Sequence, residues 1–136
     1  MSNDGIKGVL FLCTHNAGRS QMAAGFMRTL GDGKVRVFSG GSEPASQVNP
    51  AAIEVMNEVG IDIANYVPQK WSMEMLHEVD VVVTMGCGDT CPYIPGKRYL
   101  DWPLTDPAGR GADAVRPIRD EIKSLVEQLL TDLTKS

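Results

Sequence analysis

The stretch Val9-Leu10-Phe11-Leu12-Cys13-Thr14-His15-Asn16-Ala17-Gly18-Arg19-Ser20 decides the fold. An apolar run stops at a cysteine, five residues intervene, and an arginine and a serine open the helix-like run that reaches Leu30. A strand, a tight loop and a helix N-terminus build an anion cradle: backbone N–H groups turn inward and the helix dipole adds partial positive charge. Arg19 closes the ring with a planar fork suited to a tetrahedral oxyanion. Cys13 falls at the bottom of the cradle, where a field that holds an oxyanion also favours the thiolate. Asn16 and Gly18 suit the unusual backbone angles of such a loop. The plain alternative is a buried cysteine ending a strand, with Arg19 on the surface.

Ile6 to Leu12 reads as a buried parallel strand, and residues 19–30 as a helix with Met22, Ala23, Phe26, Met27 and Leu30 at core spacing. Gly31-Asp32-Gly33 ends it, Lys34 to Ser39 alternates as a second strand, and 40–44 is a loop. Asn49 caps a helix with Pro50 at its first position and Ala52, Ile53, Val55, Met56 and Val59 on its apolar face. Ile61 to Ile63 is a short extended piece, and Gln69 to Leu76 a short helix with Ser72 as a candidate cap. Val79 to Thr84 is a third buried strand and Tyr99 to Trp102 a fourth. Residues 114–133 form a long helix with Val115, Ile118, Ile122, Leu125, Leu129 and Leu133 on one face, and Pro117 is acceptable only near its first turn.

Near-continuous apolar strands alternating with helices predict an α/β fold, a parallel sheet covered on both faces. At 136 residues one domain spanning 1–136 is expected. Net charge of −4 and a pI near 5.1 give nucleic acid no electrostatic foothold, so the anion affinity is local to the loop. No apolar run approaches the roughly 20 residues of a membrane span. The first residues carry neither a basic nor an apolar leader pattern. Three cysteines leave one over from any disulfide framework, so a reducing cytoplasm is the expected compartment.

Ligands of parallel sheets bind beyond the C-terminal strand ends. That rule gathers Cys13, Cys87 and Asp106 on one rim. A thiolate and a carboxylic acid at an oxyanion cradle fit attack on the central atom, with Arg19 and the loop N–H groups holding the growing charge and Asp106 protonating the leaving oxygen. The plain reading of Asp106-Pro107 is a turn. His77 reads as an ordinary surface histidine with no metal partner at ligand spacing.

The glycine-rich loop at 85–92 adds Cys87 and Cys91. Hydrolysis of a phosphate ester needs one cysteine and a water, whereas reduction of arsenate to arsenite needs two electrons, which two thiols supply by becoming a disulfide. Cys13 would form the arsenic adduct, Cys87 would attack Cys13 sulfur and release arsenite, and Cys91 would then free Cys13. A disulfide needs Cα atoms about 4.4–6.8 Å apart. Residues four apart are roughly 13 Å distant when extended and about 6 Å in a helical turn. The segment must therefore coil when oxidised, with Gly86 and Gly88 as hinges. Two unrelated loop thiols, or half of a zinc site, are the competing readings.

Cys13 to Ala23 (CTHNAGRSQMA) resembles the active-site loop of the low-molecular-weight tyrosine phosphatase superfamily. Val-Val-Thr-Met-Gly-Cys at 82–87, Cys91-Pro92, Asp106-Pro107-Ala108-Gly109 and Arg119-Asp120-Glu121-Ile122 resemble its arsenate reductase branch, over about residues 6–133. The resemblance implies a three-layer α/β sandwich whose four-stranded parallel sheet has the order 2-1-3-4. It implies Cys13 as nucleophile, Arg19 as loop arginine, Ser20 as thiolate support, Asn16 as loop shaper, Asp106 as general acid and Cys87 and Cys91 as relay thiols. Thr14, His15, Asn16, Ala17, Gly18, Arg19 and Ser20 would bind the substrate, arsenate, with phosphate or sulfate as mimics. Weak phosphatase activity is a further expectation, since phosphate and arsenate share a shape.

The chain departs from the family at three points, and from its phosphatase branch at a further one. Only three residues separate Cys87 from Cys91, closer than is usual. Potassium-binding members carry a glutamate where this chain has Ala24, so that site is not expected, nor is any metal or bound cofactor. His15 stands where glycine is frequent, either holding the anion or facing solvent. Ala108-Gly109 replace the aromatics with which phosphatases stack a phosphotyrosine. The expected reductant is thioredoxin. One alternative is transfer to mycothiol with a mycoredoxin or glutaredoxin-like partner, using Cys13 alone, and another is a tyrosine phosphatase. An oxyanion sensor is the non-catalytic reading.

Overall fold

The computed structural model describes residues 7–85, 95–105, 107 and 109–134. Its elements in chain order are β1 (Lys7–Cys13), α1 (Arg19–Gly31), β2 (Val35–Gly41), α2 (Pro50–Asn57), α3 (Met73–Glu78), β3 (Val81–Thr84), β4 (Arg98–Asp101) and α4 (Ala112–Thr134). The strands form one parallel sheet in the order β2-β1-β3-β4. This is the α/β sandwich and the strand order expected from the sequence.

β1 is apolar on both sides because both sides are covered. Val9, Phe11 and Cys13 face the larger core, which holds Met22 and Phe26 of α1, Val55 and Met56 of α2, and Val115 and Ile122 of α4. Leu10 and Leu12 face a smaller core under α3, with Leu76, Val79 and Val82. Period-two alternation thus feeds two layers from a run that looks uniform in sequence.

Element ends depart from the periodic reading. β2 runs on through Gly40 and Gly41, both expected as loop, since Cys13 pairs with Gly41. Gln69 to Trp71 is not helical: Gly41 N–H donates to Gln69 O at 2.9 Å and Trp71 N–H to Gly41 O at 3.2 Å, and this pairing outcompetes a helical turn. Helix α3 then starts after Ser72, whose hydroxyl accepts from Met75 N–H at 3.2 Å. Ile61 to Ile63 is neither helical nor paired in the sheet, and Ile63 is buried against Gly25. Val79 and Asp80 precede β3, and Trp102 follows β4. Ile6 lies outside the described residues.

Two expected core residues, Leu30 and Val59, are 38% and 42% exposed because each sits at or beyond a helix end, where the buried stripe has left the core. On α4, Val126 rather than Leu125 is fully buried. Pro117 lies in the second turn, because α4 begins at Ala112 rather than 114. The carbonyl that proline leaves without its helical donor is that of Asp113, an exposed residue where water can serve.

Helix α2 is short, and the four carbonyls at its end are all satisfied. Glu54 O accepts from Glu58 N–H, Met56 O from Val59 and Ile61, and Asn57 O from Gly60. Val55 O accepts from Arg119 Nη1 at 2.9 Å, reaching across from α4. The same guanidinium meets Glu58 Oε1 at 2.8 Å, and Arg116 meets Glu58 Oε2 at 2.7 Å. Hydrogen bonds from Arg116, then from Arg119, hold the Glu58 carboxyl down to about 2 against a desolvation that raises it.

Because that folded value lies below the usual 4.5, the stabilisation is complete above pH 4.5 and is lost as the pH falls toward 2. Glu58→Gln should therefore unfold earlier than wild type at pH 6, and the two denaturation midpoints should converge near pH 2. Profiles that stay parallel down to that pH would exclude the α2–α4 charge cluster as a source of acid sensitivity.

Candidate active site

The loop at residues 14–18 is shaped from outside. Glu43 N–H donates to Thr14 O at 2.8 Å, Ala45 N–H to His15 O at 3.0 Å and Asn49 N–H to Ala17 O at 2.8 Å. All described peptide bonds are trans. In a trans peptide the N–H points opposite to the preceding C=O. Turning these three carbonyls outward therefore turns the N–H groups of His15, Asn16 and Gly18 inward. One of them is pinned down directly: Asn16 N–H donates to Cys13 Sγ at 3.2 Å.

Asn16 adopts φ 49°, the left-handed region that asparagine tolerates better than most residues. Gly18 has φ −124° and needs no left-handed freedom. Its constraint is space, since a Cβ there would lie 2.7 Å from Pro107 Cγ. Helix α1 follows at Arg19 with no side-chain cap, so its first turn presents N–H groups toward the loop.

Cys13 ends β1 with 3% exposure. Its sulfur lies 2.9 Å from Ser20 Oγ. Asn16 Nδ2 donates to the same Ser20 oxygen at 2.7 Å, and towards a Cys13 thiolate, which can only accept, the serine proton is given to sulfur. Two donors, one backbone and one hydroxyl, thus converge on Cys13, and both stabilise a thiolate over a thiol. Arg19 is buried, and its Nη1 donates to Leu104 O at 3.2 Å, which fixes the guanidinium beside the loop.

A cavity of about 30 Å³ opens over the sulfur, lined by Cys13, His15, Ala17, Gly18, Arg19, Asn49 and Pro107. It has room for a small tetrahedral anion, and its described lining holds no Phe, Tyr or Trp. His15 is exposed on the rim of the cavity. Asn16 and Ser20, expected to bind substrate, are fully buried behind the sulfur and do not line the cavity, nor does Thr14. Cys87, Cys91 and Asp106 lie outside the described residues. His77 is exposed at the end of α3. Among the described residues no three metal-ligating side chains gather.

Two residues have functions beyond their sequence reading. Asn49 caps α2 through Ala51 N–H at 2.8 Å, as expected, but it also holds Ala17 O through its backbone, reaches Pro107 O at 3.4 Å and walls the cavity. Gly41 is the floor on which the loop sits. A Cβ there would lie 2.5 Å from Thr14 O, 2.8 Å from Cys13 O and 3.0 Å from Asn16 N. The only sequence signal for it is the Gly40-Gly41 pair, which reads equally well as a turn.

A cysteine ending the central strand of a parallel sheet, under an inward-facing N–H loop and an arginine, defines the class of cysteine-based oxyanion-loop proteins. The chain belongs to the low molecular weight phosphotyrosine protein phosphatase family, whose model matches residues 8–90. It is 39% identical over 132 residues to a Synechocystis protein named glutaredoxin arsenate reductase, covering 95% of this chain and 100% of that one. It is 42% identical over 129 residues to arsenate reductase 2 of Staphylococcus epidermidis, covering 92% and 97%. A solved structure of a Corynebacterium glutamicum thioredoxin-dependent arsenate reductase superposes with a TM-score of 0.85 at 38% identity, over 97% of this chain and 64% of that one.

Proposed function

We propose that this protein is an arsenate reductase working in the reducing cytoplasm. The substrate assignment rests on one observation: relatives named arsenate reductases match nearly the whole chain at about 40% identity. The Cys13 cradle supports the chemistry, and the small cavity, with no Phe, Tyr or Trp in its described lining, favours an inorganic oxyanion over a phosphotyrosine.

Cys13 thiolate attacks arsenic. An As–S bond forms, and an arsenic oxygen leaves as water after Asp106 donates its proton. Arg19 and the inward N–H groups hold the charge on the remaining oxygens. Cys87 thiolate then attacks Cys13 sulfur: an S–S bond forms, the As–S bond breaks, and its electron pair stays on arsenic, which leaves as arsenite. Cys91 attacks Cys87, frees Cys13 and leaves a Cys87–Cys91 disulfide for thioredoxin. The steps need no bound cofactor, since the electrons come from the external thiol. A no-relay route would hand the adduct to mycothiol or glutathione, and the glutaredoxin in the name of the Synechocystis relative keeps that class of reductant in the test.

The test is arsenate-dependent NADPH oxidation with thioredoxin and thioredoxin reductase. Wild type should turn over, and Cys87→Ser and Cys91→Ser should both stop. Turnover only with a small thiol and its redoxin, undiminished in both variants, would replace the relay by the Cys13-only route. No arsenate-dependent turnover with any reductant would end the reductase reading. Asp106→Asn should lower kcat about 10²- to 10³-fold while inhibition by phosphate changes less than about threefold. Equal kinetics would remove Asp106 from the acid role.

A further inference from the structure

We propose that Gln21 is a positioning residue for the Cys13 thiolate, its side-chain amide locking Asn16 in the orientation that aims the Ser20 hydroxyl proton at sulfur. The proposal deepens the reading of Cys13 as nucleophile and rests on it.

Gln21 is 1% exposed, in the first turn of α1. Its Nε2 donates to Asn16 O at 3.0 Å and to Asn16 Oδ1 at 3.2 Å. Both partners are acceptors, so the Gln21 amide cannot be turned the other way. Asn16 Oδ1 also accepts from Gln69 N–H at 2.9 Å. A flipped Asn16 amide would set its NH₂ against two donors. Asn16 Nδ2 must therefore face Ser20 Oγ, at 2.7 Å. The serine oxygen accepts that bond, and its own proton goes to Cys13 Sγ at 2.9 Å. Every link donates in one direction, from Gln21 through Asn16 and Ser20 to sulfur, so each polarises the next in favour of negative charge on sulfur.

Gln21 also grips the backbone oxygen of Asn16, the residue at φ 49°. It therefore holds both the side chain and the turn that brings Asn16 N–H to sulfur. Packing alone does not account for an amide at this position. Among the described residues Gln21 Oε1 is buried with no hydrogen-bond partner. An apolar side chain of the same length would fill the space without that unmet acceptor. What it would lack is the Nε2 donor.

The test follows alkylation of Cys13 by iodoacetamide across pH, with each cysteine resolved by peptide mass, in the full chain without arsenate. Gln21→Met keeps length and removes both the donor and the unmet acceptor. It should melt near wild type and alkylate Cys13 about tenfold more slowly at neutral pH, with the profile displaced to higher pH. Ser20→Ala should shift the profile at least as far, and Gln21→Met added to it should shift it no further, because Gln21 acts through Ser20. A wild-type profile in folded Gln21→Met overturns the proposal. So does an unmoved profile in Ser20→Ala, which decides the matter even where Gln21→Met does not fold. Additive shifts in the double variant also overturn it. The expected shifts in a protein that reduces no arsenate would uphold Gln21 and sink the reductase reading, so the two failures are separable.

Discussion

Cys13→Ser should reduce arsenate at least about 10⁴-fold more slowly than wild type, whichever thiol is supplied, while phosphate binding stays within a few-fold. The exchange replaces one atom at a site with 3% exposure, so the loop has no steric reason to move. The groups that would hold the anion are backbone N–H groups and the Arg19 guanidinium, and none of them belongs to the Cys13 side chain. Two chemical losses combine. An alcohol stays protonated where a thiol yields a nucleophilic anion. More fundamentally, an oxygen attached to arsenic cannot be taken off as half of a disulfide, so the two electrons have no route to the metalloid. Phosphate-dependent thermal stabilisation reads the binding, and arsenite production reads the turnover. Surviving turnover would mean that another thiol performs the first step. Loss of phosphate binding alongside turnover would mean that the sulfur, not the loop, holds the anion.

The parts of this fold that the sequence discloses are those encoded locally. The short apolar run at 9–12, bounded by glycine and the loop, reads as a strand covered on both faces, and the cysteine, arginine and serine that follow carry the cradle in their own spacing. Asn49 before Pro50 and Ser72 before α3 announce their caps. The strand order 2-1-3-4 is a different matter, since no local pattern encodes it and it is expected only through the family resemblance. Periodicity also fails where a helix runs out of partners: Leu30 and Val59 continue their stripes in sequence while the core beneath them ends. The least legible residues act at a distance. Gln69 reads as helix, yet its backbone orients Asn16 and its side chain donates to Ser39 O at 3.0 Å. Those bonds form only once β2 lies beside β1 and the 69–71 segment has closed over it, a tertiary event that outcompetes local propensity.

Gly41 is the sharpest case, and Gly41→Ala should abolish oxyanion binding as well as turnover. In the parallel register Gly41 stands opposite Cys13, at the point where β1 gives way to the loop. The missing Cβ is what allows the carbonyls of Cys13 and Thr14 and the Asn16 amide to lie over the glycine, since a Cβ there would meet them at 2.5–3.0 Å. These are backbone atoms, so no rotamer change relieves the overlap. Either β2 separates from β1 or the loop lifts. Separation costs the sheet its register at Gly41 and the pairing of Gly41 with Gln69 and Trp71. Lifting the loop costs the outward carbonyl bonds from Glu43 and Ala45, and with them the inward aim of the N–H groups. Overpacking of this kind destabilises by about 3 kcal/mol, roughly 10 °C in Tm for a chain of this size. Gly111→Ala is the matched control, because a Cβ there meets nothing within 4 Å. It should melt and bind phosphate like wild type. Wild-type phosphate affinity in Gly41→Ala would show that the loop reaches its anion-binding form without the close seat on β2, and the cradle would then owe its shape to α1 and Asn16 alone.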